Sequence, residues 1–115
     1  MKKNKFADKD RCEHILKSIS FLEKYTSGFE EDDFLRDEVL KRAVVREFEI
    51  IGEASNYLSD ELKSNSKEIE WPKIISLRNR LIHEYMEVNY RTVWEILIDE
   101  ISTLKKNIEL ILLNL

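Results

Sequence analysis

Glycine, proline and cysteine are nearly absent from this chain, at 2, 1 and 1 of its 115 residues. With so few residues that break or reverse a helix, and with Leu, Ile, Glu and Lys prominent, the economical architecture is long helices joined by few tight turns. Cys12 has no intrachain partner for a disulfide, which fits a reducing interior. Also missing is any apolar run near the roughly 18 to 20 residues of a membrane span. The start, Met1-Lys2-Lys3-Asn4-Lys5, leads into charged residues rather than a signal-type apolar stretch. A soluble cytoplasmic protein with no membrane partner is expected. Net positive charge is lacking as well. The formal net charge of −4 argues against a generally cationic nucleic-acid coat, so any nucleic-acid site has to be a local basic pocket.

What is present is helical periodicity, with no internal repeat or low-complexity tract. The length suits one domain, 1–115, close to the size at which association with a second chain helps stability. In the first helix Cys12, Ile15, Leu16, Ile19 and Leu22 make one stripe, and Gly28 stops it soon after. His14, Phe21 and Tyr25 lie on the opposite side, so this helix has two neighbours in the bundle or a second chain against it. The second helix is expected from near Arg36 to near Leu58, after the cap-like Glu30-Glu31-Asp32-Asp33. Its stripe is Leu40, Val44, Phe48, Ile51, Ser55 and Leu58, and Glu47 falls among them as a carboxylate in need of a partner. Gly52 in mid-helix costs about 1 kcal/mol against Ala, which close approach of another helix would offset.

A polar link, Ser59 to Glu70, crosses to Trp71-Pro72. Proline is tolerated in a first helical turn, so a third helix should run from Pro72 to about His83 or Glu84. Asn89 looks like the N-cap of a fourth, with the stripe Trp94, Leu97, Ile98, Ile101, Leu104, Ile108, Ile111 and Leu115. The fold class is therefore all-α, an up-and-down four-helix bundle with short additional turns.

The third helix carries the chemistry in Leu77-Arg78-Asn79-Arg80-Leu81-Ile82-His83-Glu84-Tyr85. At about 100° per residue, Ile74, Leu77, Arg78, Leu81, Ile82 and Tyr85 share one face, which puts Arg78 inside the apolar stripe. Read structurally, it is a buried arginine paired with a carboxylate, Glu47 first and Glu53 second. His83 alone reads as a helix-terminal histidine, and Tyr85 alone as core filler with its hydroxyl at the edge. On a straight helix Arg78 and His83 diverge by about 140°. To share a site they need a helix that loosens near His83, an arginine that reaches round, or two chains that bring their motifs together. Metal chemistry finds no support. A di-metal bundle needs Glu-x-x-His pairs, but Arg11 and Arg80 stand three before His14 and His83, and Cys12 with His14 falls short of a zinc pattern.

Four blocks, Ile50-Ile51-Gly52-Glu53-Ala54, Trp71-Pro72-Lys73-Ile74-Ile75, Leu77 to Tyr85, and Val93-Trp94-Glu95-Ile96-Leu97, occur in an order that resembles the HepT-like branch of the HEPN superfamily, over about Asp8 to Ile108. The resemblance implies an all-helical homodimeric ribonuclease toxin paired with a minimal nucleotidyltransferase antitoxin, a type VII-like system. It implies Arg78 and His83 as the catalytic pair in a cleft at the dimer interface, with Asn79 as the polar residue after the arginine. Tyr85 is then the acceptor for adenylyl groups that the antitoxin donates from ATP. No core motif residue is missing. The short tail after Ile108 departs from the pattern and bears on partner docking rather than on the motif.

The residue chemistry agrees with that assignment. Cleavage of RNA without a metal or other cofactor needs a base for the ribose 2′-hydroxyl and a cation for the phosphate. His83 suits the first role near neutral pH, the Arg78 fork suits the second, and Asn79 would orient by hydrogen bonding. The expected product is a 2′,3′-cyclic phosphate. A dimer could supply a second histidine as general acid. Adenylylation of Tyr85 would place charge and bulk two residues from His83 and block the cleft. Arg80 and Lys73 either extend the basic pocket or serve surface solubility. The alternative reading is a non-catalytic helical partner that binds and positions a nucleotidyltransferase.

Overall fold

The apolar stripe of the first helix buries as its spacing requires. In the computed structural model, which describes residues 5–82 and 87–115, α1 spans Lys5–Thr26, and Cys12, Ile15, Ile19 and Leu22 are wholly inaccessible. The Thr26 hydroxyl donates to the Leu22 carbonyl at 2.6 Å, and Gly28 follows at φ +78°, a left-handed conformation that turns the chain out of the helix. On the other side of α1, His14 and Tyr25 are exposed, while Phe21 is half-buried and stacks against Tyr25 at 4.7 Å between ring centroids.

The acidic run does more than cap the second leg. It forms its own short helix, α2 (Glu31–Arg36), with the Glu30 N–H donating to the Asp33 carboxylate at 2.9 Å and Phe34 buried against Trp94. Asp37 then adopts an extended backbone and accepts from the Leu40 N–H, so α3 begins at Glu38 and runs to Asn56. All six expected stripe residues, Leu40 through Leu58, are buried, and the Ser55 hydroxyl is satisfied by the Ile51 carbonyl at 2.7 Å. Gly52 explains itself by approach. A Cβ there would stand 3.1 Å from the Ile75 carbonyl oxygen and 3.2 Å from that of Ile74, so α3 lies against the next leg at backbone distance.

The link between the second and third legs is tied down. It contains α4 (Asp60–Ser64), and the Asp8 carboxylate at the start of α1 accepts both the Ser59 N–H (2.8 Å) and the Ser59 hydroxyl (2.6 Å). Asp8 and Ser59 are both buried, so this contact directly joins and satisfies polar groups of chain segments 51 residues apart. Farther along, the Trp71 indole N–H donates to the Ser66 carbonyl.

The third leg differs from the expected continuous helix. It is two five-residue helices, α5 (Trp71–Ile75, with Pro72 in the first turn) and α6 (Leu77–Leu81). Ser76 separates them at φ −93°, ψ 19°, its hydroxyl bonded to the Pro72 carbonyl at 2.7 Å, a back-bond that loosens a helix. The leg ends at Leu81 rather than at His83 or Glu84. Ile82 is extended, pairs with Val88 in an isolated antiparallel bridge, and the Leu81 carbonyl that another helical turn would use accepts the Asn89 N–H at 2.7 Å.

The fourth leg is kinked at Glu100, giving α7 (Tyr90–Asp99) and α8 (Ile101–Leu113), with Asn89 capping α7 through the Thr92 N–H. Of the expected stripe, Leu97, Ile101, Leu104, Ile108 and Ile111 are buried and Trp94 is half-buried. Ile98 is exposed instead, because Val93 and Ile96 take the inward positions ahead of the kink, and Leu115 is exposed beyond the end of α8. Arg80 clasps that kink. Its two terminal nitrogens donate to the two Glu100 carboxylate oxygens at 3.1 and 2.6 Å, fastening α6 to the α7–α8 joint. The four legs, α1, α2 with α3, α5 with α6, and α7 with α8, enclose one apolar core around Phe34, Phe48, Ile51 and Leu77. No helix among the described residues is long and apolar enough to cross a membrane.

Two of these contacts have measurable consequences. Asp8→Ala leaves the buried Ser59 N–H and hydroxyl unsatisfied and should lower stability by about 2 to 3 kcal/mol in urea unfolding; a loss under about 0.5 kcal/mol would contradict the role given to this pair. For Glu100, the hydrogen bonds from Arg80 hold the carboxyl below its ordinary value against the opposing effect of burial. A carboxyl depressed in the folded state stabilises above its unfolded value and ceases to as pH falls through the folded one. Glu100→Gln should therefore cost about 1 kcal/mol near neutrality, and the gap to the parent should close in acid. A gap independent of pH would show that the charge is not what matters.

Candidate active site

Helix α6 sorts its residues by face. Leu77 and Leu81, four apart, turn into the core, and this leaves Arg78 and Asn79 exposed and Arg80 between them and the bundle. The Arg78 side chain is 59% exposed, against 24% for that of Arg80. The expectation of a buried Arg78 is thus corrected, and the reason is Ser76. On one continuous helix Ile74, Leu77, Arg78 and Leu81 would share a stripe, but the break at Ser76 resets the phase so that Ile74, Leu77 and Leu81 stay inside and Arg78 turns out. Its near-neighbour Arg80 is the arginine that is half-buried and clasped by a carboxylate.

The partner of Arg78 is also different from the expected ones. Its Nε lies 3.8 Å from Glu49 Oε2, while neither Glu47 nor Glu53 reaches ion-pair distance. Glu47 is half-buried two residues before Glu49, and so projects from another side of α3. Glu53, one turn after Glu49, does line the same depression. That shallow cleft of about 280 Å³ is bounded by Glu49, Gly52, Glu53 and Asn56 of α3, by Ile75, and by Arg78. It exists because Gly52 lets α3 meet the carbonyl end of α5.

The electrostatics of this region are local. Arg80 is neutralised by Glu100, and Lys73 lies 3.8 Å from both Glu70 and Glu100, so neither is an unpaired extension of a basic pocket. Arg78 keeps most of its side chain in solvent, and Asn79 beside it is exposed as well. A guanidinium fork can take two oxygens of a phosphate or carboxylate. His83 and Tyr85 lie outside the described residues, as does Glu84. The flanks of that stretch are described, and they bear on the divergence of Arg78 from His83. The helix ends before His83 is reached, so a rigid 140° separation does not apply. Among the described residues, α6 closes at Leu81 and Ile82 is extended. Buried Cys12 is a core thiol, pushed up to about 11 by burial and by the nearby Asp8 and Glu13 carboxylates.

Two functional neighbours were not read from the sequence. Glu49 could have been found from its place one turn before Glu53 and beside Gly52, the marker of the close helix approach. Glu100 had no such signal, since only the fold brings it to Arg80 from 20 residues away.

The chain has relatives among known proteins. The model of the family described as Ribonuclease HepT-like matches residues 15–111. A protein of Caldanaerobacter subterraneus subsp. tengcongensis named "Putative RNase" is 44% identical over 100 residues, covering 87% of this chain and 89% of that protein. "Probable ribonuclease HepT" of Thermococcus cleftensis is 36% identical over 105 residues, covering 91% and 96%. A Methanocaldococcus jannaschii protein, also named "Putative RNase", is 31% identical over 97 residues, covering 84% and 89%. No solved structure gives a significant match. With the family model spanning all four legs of the bundle, including the exposed Arg78 and the helix end before His83, this chain belongs to the HepT-like ribonuclease family of the HEPN superfamily.

Proposed function

We propose that this chain is the toxin of a type VII-like toxin–antitoxin pair, a metal-independent endoribonuclease that works as a homodimer and is silenced at Tyr85 by a minimal nucleotidyltransferase. The observation that carries the reading is the exposure of Arg78. In an acidic chain whose nearby cations are engaged with carboxylates, Arg78 offers its fork to solvent on a helix that stops just short of His83. The family and the ribonuclease names of its relatives support the substrate class.

The chemistry follows from the groups. His83 removes the proton of the ribose 2′-hydroxyl, the 2′-oxygen attacks the adjacent phosphorus, and the 5′-oxygen leaves. Arg78 stabilises the charge that gathers on the non-bridging oxygens, and Asn79 orients the phosphate by hydrogen bonding. The leaving oxygen takes a proton from the His83 of a second copy across a two-fold axis, and the products are a 2′,3′-cyclic phosphate and a 5′-hydroxyl. In the silenced state the partner transfers an adenylyl group from ATP to the Tyr85 phenol and releases pyrophosphate. The added phosphodiester charge and base then repel and obstruct an incoming phosphate.

Purified parent protein should cleave single-stranded RNA in the presence of a chelator. Arg78→Ala and His83→Ala should each lose about 100-fold or more in rate. Growth arrest on expression should vanish in the same two variants, and co-expression with the nucleotidyltransferase should add adenylyl mass to the parent but not to Tyr85→Phe. Undiminished toxicity in both Arg78→Ala and His83→Ala would sink the nuclease reading. A parent chain that neither cleaves RNA nor arrests growth, yet binds the nucleotidyltransferase, would support the non-catalytic partner instead.

A further inference from the structure

A carboxylate beside the phosphate-binding cation is unexpected in a cleft meant for a polyanion. Glu49 stands there nonetheless, with its Oε2 3.8 Å from Arg78 Nε and about a third of its side chain exposed. Because Gly52 lets α3 lie against the carbonyl end of α5, the Glu49 turn of α3 forms the wall directly beside Arg78. Contact at Nε has a particular consequence for a guanidinium. At that distance the contact is an ion pair rather than a hydrogen bond, so it acts through charge, drawing the Nε edge of the guanidinium toward α3, opposite the two terminal nitrogens that form the fork fitting phosphate oxygens.

We propose that Glu49 is a positioning residue for Arg78, holding its Nε so that the two terminal nitrogens face the scissile phosphate. This rests on reading Arg78 as the phosphate clamp. Among the described residues Glu49 is the carboxylate that approaches Arg78 within ion-pair distance, and it lies outside the residues assigned to proton transfer. Its negative charge disfavours binding of RNA, and its restraint of Arg78 favours the transition state. The two effects fall on different kinetic constants.

The test is steady-state cleavage of a mixed-sequence fluorescent RNA oligonucleotide by the full chain. Glu49→Ala should lower kcat about tenfold while KM stays level or falls, with the thermal unfolding of the parent. Glu49→Asp, which keeps the carboxylate on a shorter side chain, should recover part of the lost kcat. In an Arg78→Lys background, where there is no guanidinium fork to be aimed, Glu49→Ala should bring no further loss. Parent-level or higher kcat in Glu49→Ala, or an equal loss in the Arg78→Lys background, would overturn the proposal. An inactive Arg78→Ala beside a fully active Glu49→Ala would remove the role of Glu49 alone, whereas a fully active Arg78→Ala would remove the clamp itself.

Discussion

The hydrogen bond from the Asn89 N–H to the Leu81 carbonyl, at 2.7 Å, is the constraint on which the motif's geometry depends. A helix continues only while each carbonyl finds the N–H four residues on. Once Asn89 has taken the Leu81 carbonyl, α6 stops, Ile82 extends to meet Val88, and the segment between them begins and ends at one place. The same asparagine caps α7 with its side chain, so one residue closes the third leg and opens the fourth.

Two further contacts make that helix end useful. The bidentate Arg80–Glu100 pair fixes the short α6, which five residues of helix alone could not do, to the joint of the fourth leg. Gly52 brings α3 to the end of α5 and so builds the wall that faces Arg78. The two arginines of the motif thus differ in setting, with Arg80 locked into the fold and Arg78 left largely in solvent. In a chain of net charge −4 this division matters, because a cation facing solvent beside a cleft is the local exception to an unfavourable global field.

Much of the bundle was legible because burial follows period. The α3 stripe from Leu40 to Leu58, the Gly28 stop, Pro72 in a first turn and the Asn89 cap all stand where local chemistry puts them. Misreadings cluster where a backbone or side-chain hydrogen bond interrupts the period. Asp37 divides the second leg, Ser76 the third, and the kink at Glu100 turns Ile98 outward. At the site, the interruption at Ser76 decided the burial of Arg78, and Glu49 replaced Glu47 and Glu53 because a carboxylate's reach depends on how two helices meet. The family resemblance named the motif residues, whereas the environment of Arg78 and Asn79 came from the fold.

The central claim is that Arg78 and His83 act on one phosphate in one cleft. The most direct measurement is an NMR titration of isotopically labelled protein with a 2′-O-methyl RNA oligonucleotide, which binds but lacks the attacking hydroxyl. The Arg78 Nε–H resonance and the His83 ring resonances should shift along one saturation curve with a common Kd. Saturation of Arg78 with His83 unmoved, or of His83 with Arg78 unmoved, would contradict it.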